Sequence, residues 1–244
     1  MNYIFLTGLA GSGKSLLTQV LSESLEEDGW SVAKINLDPS AENLPYEPDF
    51  DIKDLVDVRT VLERYGLGSN GALIFSMDLV AANLNALMIA LENYDYDYAL
   101  VDMPGQLEIF SFRQSGPFIL NALARDKLIL FLSDVVVSSD VYNFLMNEIL
   151  ARMISLRTKS PTIHIINKID LGSEEAEKIK KFISKKPTEA SDESEKSLLL
   201  AYKHIKNISP ETTQLFISAK TKENVWQIKA LVSRIFKGGE DKKE

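Results

Sequence analysis

The octapeptide Gly8-Leu-Ala-Gly11-Ser12-Gly13-Lys14-Ser15 narrows the possible folds of this chain more than any other stretch. It follows the apolar run NYIFLTG and opens the amphipathic run SLLTQVLSESLEEDG, which is the strand-then-helix context that a phosphate-binding loop requires. In that setting the backbone N–H groups from Gly11 to Ser15 are predicted to wrap phosphates at a helix N-terminus. Lys14 would neutralise β and γ oxygens, and the Ser15 hydroxyl would ligate Mg²⁺.

The rest of the chain repeats the same rhythm. The runs SVAKINL, DYALVDM, KLILFLSD, TIHIINK and QLFISA have strand length and little alternation, as strands buried on both faces do. Helical patterns such as DLVAANLNALMIALENY lie between them. The expected fold is α/β, a P-loop NTPase with a mostly parallel sheet and helices on both faces. One domain is expected over residues 1–237, with a Lys/Glu/Ser-rich helical insertion or lid at 172–207 and a flexible tail at 238–244. A chain of 244 residues with 45% hydrophobic content supports a large core. A formal net charge of -8 argues against a broad nucleic-acid footprint. The absence of cysteine excludes disulfides and thiolate metal sites and fits a reducing, cytoplasmic location. The start shows no basic segment before an apolar one, and no apolar run approaches a membrane span.

Further polar residues fall at the ends of the predicted strands. Asp102, in Asp102-Met-Pro-Gly105-Gln106, would emerge beside the phosphate loop and suit Mg²⁺ directly or through water, while the Gly105 N–H meets a γ-phosphate. Asn167-Lys168-Ile169-Asp170 and Ser218-Ala219-Lys220 together specify a base. The Asp170 carboxylate accepts from guanine N1–H and its exocyclic amine, whereas adenine would leave it unpaired, so GTP is preferred over ATP. Asn167 would brace the loops, the Lys168 stem would cover the base, and the Ala219 N–H would donate to guanine O6. Asp38 begins an acidic, proline-bearing loop placed as a nucleotide-sensing switch; it reads either as a holder of the attacking water or as an Asx turn before Pro39. The run Tyr65-Gly66-Leu-Gly68-Ser69-Asn70-Gly71 reads as a helix cap at Gly66 followed by a flexible-backbone arm. His164, inside an apolar run, reads as a core residue.

Taken in order and spacing, GLAGSGKS, LDPSAENLPYEPDFDIKDLV, YGLGSNGAL, DMPGQLEIF, NKID and SAK resemble the GPN-loop GTPases, an archaeal and eukaryotic P-loop family. This chain carries Gly68-Ser69-Asn70 where the family has Gly-Pro-Asn. The resemblance implies a homodimer in which Asn70 of each subunit reaches the γ-phosphate or attacking water of the other. It further implies that Asp38, Gln106 and Glu108 organise that water, that Ser15 and Asp102 hold Mg²⁺, and that GTP is converted to GDP and phosphate. Eukaryotic members are linked to assembly of RNA polymerase complexes, which suggests a nucleotide-controlled assembly factor as partner machinery. The alternative is a nucleotide-gated partner-binding module with incidental hydrolysis. No arginine holds a finger position, so slow turnover is expected.

Overall fold

A computed structural model describes residues 1–92, 95–105, 113–124 and 126–236. In chain order it contains β1 (Asn2–Gly8), α1 (Lys14–Glu26), β2 (Val32–Asn36), β3 (Phe50–Asp51), α2 (Val58–Tyr65), α3 (Ser69–Ala82), α4 (Leu84–Glu92), β4 (Tyr98–Asp102), α5 (Ser115–Leu123), β5 (Lys127–Asp134), α6 (Val141–Thr158), β6 (Thr162–Asn167), α7 (Ser173–Ser184), α8 (Glu193–Lys206), β7 (Thr213–Phe216) and α9 (Val225–Phe236).

The strands form one seven-stranded sheet in the order β3-β2-β4-β1-β5-β6-β7. Every recorded strand pairing is parallel. Alternate residues feed opposite faces. Phe5, Ile35, Val101, Ile129 and Phe131 join Met77, Ile119 and Ile154 on one side. Ile4, Leu6, Leu100, Leu130 and Leu132 join Leu17, Leu21 and Ile228 on the other. Two buried faces explain why the strand segments read as unbroken apolar runs.

Parallel pairing brings every strand's C-terminal end to one edge. β1 lies between β4 and β5, with Leu6 level with Asp102 and Gly8 level with Leu132. The turn after β1 therefore opens beside Asp102, at the edge where ligands bind in open α/β sheets.

Three features differ from the sequence expectation. β3 is a two-residue strand within the acidic loop, too short to leave a pattern. The run 78–94, expected as one helix, is divided at Asn83, whose φ of -107° and ψ of 22° end α3 before α4 begins. The expected flexible arm at Gly68 to Gly71 is instead the start of a helix: Gly66 caps α2 with a φ of 60°, Gly68 is extended, and Ser69, Asn70 and Gly71 form the first turn of α3. The helices α7 and α8 lie between β6 and β7, and their apolar sides, with Ala176, Ile179, Phe182, Leu199 and Tyr202, pack onto Phe144, Leu145 and Ile166. Among the described residues no helix is long and apolar enough to cross a membrane.

Candidate functional site

The phosphate loop is built on backbone that other residues resist. Gly8, Gly11 and Gly13 have φ of 133°, 74° and 95°. A Cβ on Gly13 would lie 2.5 Å from Asn167 Nδ2, and one on Gly8 would lie 2.1 Å from the Leu132 carbonyl oxygen. Gly13 caps α1 without a side-chain hydrogen bond, which leaves the first-turn N–H groups of α1 free for an anion.

Lys14 folds back onto its own loop, its Nζ donating to the carbonyls of Leu9 at 3.2 Å and Gly8 at 3.4 Å. Burial lowers its pKa, opposed by the carboxylates of Asp102 and Asp38. The ammonium is thus held by weak carbonyl acceptors that phosphate oxygens would outcompete.

Asp102 ends β4 with only 1% of its surface exposed. Its Oδ2 accepts from the Tyr46 hydroxyl at 3.2 Å, while Oδ1 is buried without a hydrogen-bond partner. Burial pushes its pKa up to about 6, against the pull of the nearby Ser15 hydroxyl, the Lys14 ammonium and the Tyr46 hydroxyl. The hydroxyl of Ser12 is also buried and unpartnered. An orphaned carboxylate oxygen beside a serine hydroxyl and a phosphate loop is a hard-oxygen donor set suited to Mg²⁺. That cation takes one or two carboxylates and completes its shell with phosphates and water, so it needs no larger acidic cluster. None of three or more metal-ligating side chains occurs among the described residues. Gly105 lies against the loop from the other side, where a Cβ would meet the Ala10 Cα at 2.8 Å.

The base end is assembled around Asn167. Its Nδ2 donates to the Ser12 carbonyl at 2.9 Å, and its Oδ1 accepts from the Ala219 N–H at 3.0 Å. The bracing expected of Asn167 is therefore present. The Ala219 N–H, expected to reach guanine O6, is engaged by that brace instead. Asp170 is exposed, and its Oδ1 accepts from the buried Ser218 hydroxyl at 2.6 Å. Lys168 has a φ of 69° and a 2.8 Å ion pair with Asp134, which fixes the direction of its stem. Lys220 is exposed at the same edge.

Asp38 adopts the turn its sequence allowed: Oδ1 accepts from the Ser40 N–H at 2.9 Å and from the Ser40 hydroxyl at 2.6 Å. Its charge nevertheless reaches Lys14. Gln106 and Glu108 lie outside the described residues. Asn70 is exposed on the first turn of α3.

Sequence reasoning missed Tyr46 and Asp134. Asp134 ends a strand just as Asp102 does, and that placement was a usable signal. Tyr46 meets Asp102 only because its loop folds over the site, across 56 residues of chain, and no local pattern marks it.

Comparison with known proteins agrees with this geometry. A family model described as "Conserved hypothetical ATP binding protein" matches residues 6–237. The chain is 33% identical over 238 residues to the GPN-loop GTPase PAB0955 of Pyrococcus abyssi, covering 93% of this chain and 94% of the relative. It is 33% identical over 172 residues to GPN-loop GTPase 1 of Dictyostelium discoideum, covering 69% of this chain and 43% of that longer protein. The apo-form crystal structure of PAB0955 superposes with a TM-score of 0.83 at 31% identity, over 97% of this chain and 98% of the other. With its phosphate loop and nearly full-length similarity to PAB0955, the chain belongs to the GPN-loop GTPase family.

Proposed function

We propose that the chain hydrolyses GTP to GDP and phosphate with Mg²⁺, as a homodimer in which Asn70 of each subunit serves the site of the other. The observation that carries the reading is the Asp102 Oδ1 oxygen, buried without a hydrogen-bond partner between the phosphate loop and the Tyr46-bearing loop, on a carboxylate whose other oxygen is held by Tyr46. Ser15 and Asp102 would hold the cation, which when bound neutralises charge on the β and γ phosphates. Lys14 turns from the Gly8 and Leu9 carbonyls to the same phosphates. Asp170, already oriented by Ser218, receives guanine N1–H and the amine, and its exposure leaves it open to them. Asp38, with Gln106 and Glu108, takes the hydrolytic water. Loss of the γ-phosphate then frees the loop that carries Asp38 and Tyr46, and this nucleotide-controlled motion is what a partner such as assembly machinery would read.

The trans role of Asn70 is supported by the glycines around it. A Cβ on Gly68 would meet nothing within 4 Å, and one on Gly71 would make only ordinary contact with Leu67. Neither has positive φ. Among the described residues nothing crowds these two positions, which leaves the first turn of α3 open to a surface that approaches from outside. Lys14→Ala and Asn70→Ala should each be inactive, with Asn70→Ala still binding GTP. Mixed under conditions that exchange subunits, they should recover about a quarter of wild-type hydrolysis, because half the dimers are mixed and each has one complete site. No recovery despite demonstrated exchange would sink the trans role.

A further inference from the structure

The hydrolytic reading leaves unused a group of charged and polar side chains buried under the base end. Glu148 on α6 is fully buried, as is His164 on β6, and Arg152, one turn along α6, is 1% exposed. His164 Nδ1 lies 2.5 Å from Glu148 Oε1 and Nε2 lies 2.8 Å from the Ser133 hydroxyl. The carboxylate accepts from Nδ1–H, so in the neutral ring Nε2 accepts from Ser133. Glu148 Oε2 pairs with Arg152 Nη2 at 3.0 Å. Arg152 Nη1 donates to the carbonyls of Ser209 and Lys206, while Nε is buried without a hydrogen-bond partner.

A buried ion pair returns little net stability, because the desolvation of both charges offsets their attraction. What sets this one apart is where its ends attach. Ser133 immediately precedes Asp134, the partner of Lys168. Val135, one residue further, donates its N–H to the Asn167 carbonyl at 3.0 Å. His164 sits on the same strand as Asn167, three residues before it. The Lys206 and Ser209 carbonyls close α8 just ahead of β7, which leads to Ser218. One network therefore grips the approaches to the two loops that carry Lys168 with Asp170 and Ser218 with Ala219, to the β5 end that carries Asp134, and also to the end of the α7–α8 pair.

We infer that the Glu148–His164–Arg152 cluster is a positioning device for guanine recognition: it fixes the relative register of β5, β6 and β7 so that Asp170 meets the base in one geometry. The inference rests on the reading of Asp170 as the guanine acceptor. Its mechanism is indirect, since none of the three residues touches nucleotide. Replacing the Glu148 carboxylate by an amide would leave Arg152 and His164 one accepting oxygen between them in place of two, and the three strand ends would be free to shift against one another. A displacement of a fraction of an ångström is enough to degrade a two-point hydrogen-bonded contact, while the phosphate loop, built on β1 and α1 and joined to β6 through the Asn167–Ser12 hydrogen bond, is disturbed less.

The test uses the full chain with Mg²⁺ and fluorescent GDP and IDP, the latter lacking only the exocyclic amine that Asp170 receives. Wild type should prefer GDP. Glu148→Gln should weaken GDP by about tenfold and IDP by much less, shrinking the GDP-to-IDP ratio several-fold. Ser133→Ala, which deletes the hydrogen bond to His164 and the one received from the Ser138 hydroxyl but leaves the ion pair, should shrink the ratio in the same direction to a smaller extent. Should Glu148→Gln not fold, Ser133→Ala decides on the same ratio. A merely structural role would lower melting temperatures and leave the ratio where it was, and that result would overturn the inference alone. A wild-type chain with no preference for GDP over IDP would overturn the base-site reading and the inference with it.

Discussion

Asp102 places the stability of the nucleotide-free protein in opposition to its readiness for a cation. With its pKa pushed up to about 6 by burial, it is still charged at neutral pH, and its Oδ1 has no partner. Asp102→Asn removes that charge at nearly constant volume. The nucleotide-free variant should gain about 1–3 kcal/mol in urea unfolding at pH 7. The same variant should lose the effect of Mg²⁺ on nucleotide affinity, measured by titrating the cation at fixed GDP. A less stable variant would show that the carboxylate serves the fold and not the cation. Tyr46 belongs to the same balance, since its buried hydroxyl supplies the hydrogen bond that Oδ2 receives while no cation is bound.

At the scale of elements, the three glycines of the Gly66 to Gly71 run serve different masters. Gly66 stands at a φ of 60°, so Gly66→Ala should destabilise by about 1 kcal/mol by forcing a side chain into the left-handed region. Gly71 lies in the first turn of α3 with room for a methyl group. Gly71→Ala should therefore stabilise the isolated chain by about 0.5 kcal/mol in thermal or urea unfolding, yet slow GTP hydrolysis. Unchanged hydrolysis in that variant would remove the argument that this turn enters a neighbouring site. The contrast also marks what could be read from sequence. Gly66 was legible as a cap because a positive φ is a local demand. The helix beginning at Ser69 was not, because no Ser, Thr, Asp or Asn stands at its cap position and three small or polar residues fill its first turn. The six long strands were legible through their unbroken apolar runs, but β3 left two residues and no period. For the proposed site, the placement of Lys14, Asp102, Asn167 and Asp170 at or just after strand ends was legible because each motif follows an apolar run. Tyr46 and the Glu148 cluster were hidden because their partners are set by how distant segments stack. His164 gave only half its meaning: the apolar run predicted burial, but nothing local named Glu148 or Ser133 as its partners.

For the molecule as a whole, acid sensitivity should be centred on the buried cluster. Burial alone would raise the Glu148 pKa, but the hydrogen bond and charge of His164, with Gln214 and Arg152, hold it at about 2 against an ordinary value of 4.5. A folded-state pKa below the unfolded one contributes stability that is complete above about pH 4.5 and is lost as pH falls toward 2. Urea unfolding of wild type and Glu148→Gln should therefore differ most above pH 5, narrow as pH falls below 4.5 and converge only near pH 2; a gap that stays constant with pH would exclude Glu148 as its source. The Asn167 brace has a consequence of another kind. Its amide joins Ser12, 155 residues upstream, to Ala219, 52 residues downstream, so the phosphate loop and the proposed base-binding loops meet through the end of the sixth strand and the segment after the seventh. A nascent chain that has already formed the central strands still lacks a completed pocket. Nucleotide loading thus becomes an event of the finished polypeptide, and a chain truncated before β7 would fold much of its core while remaining unable to retain its ligand.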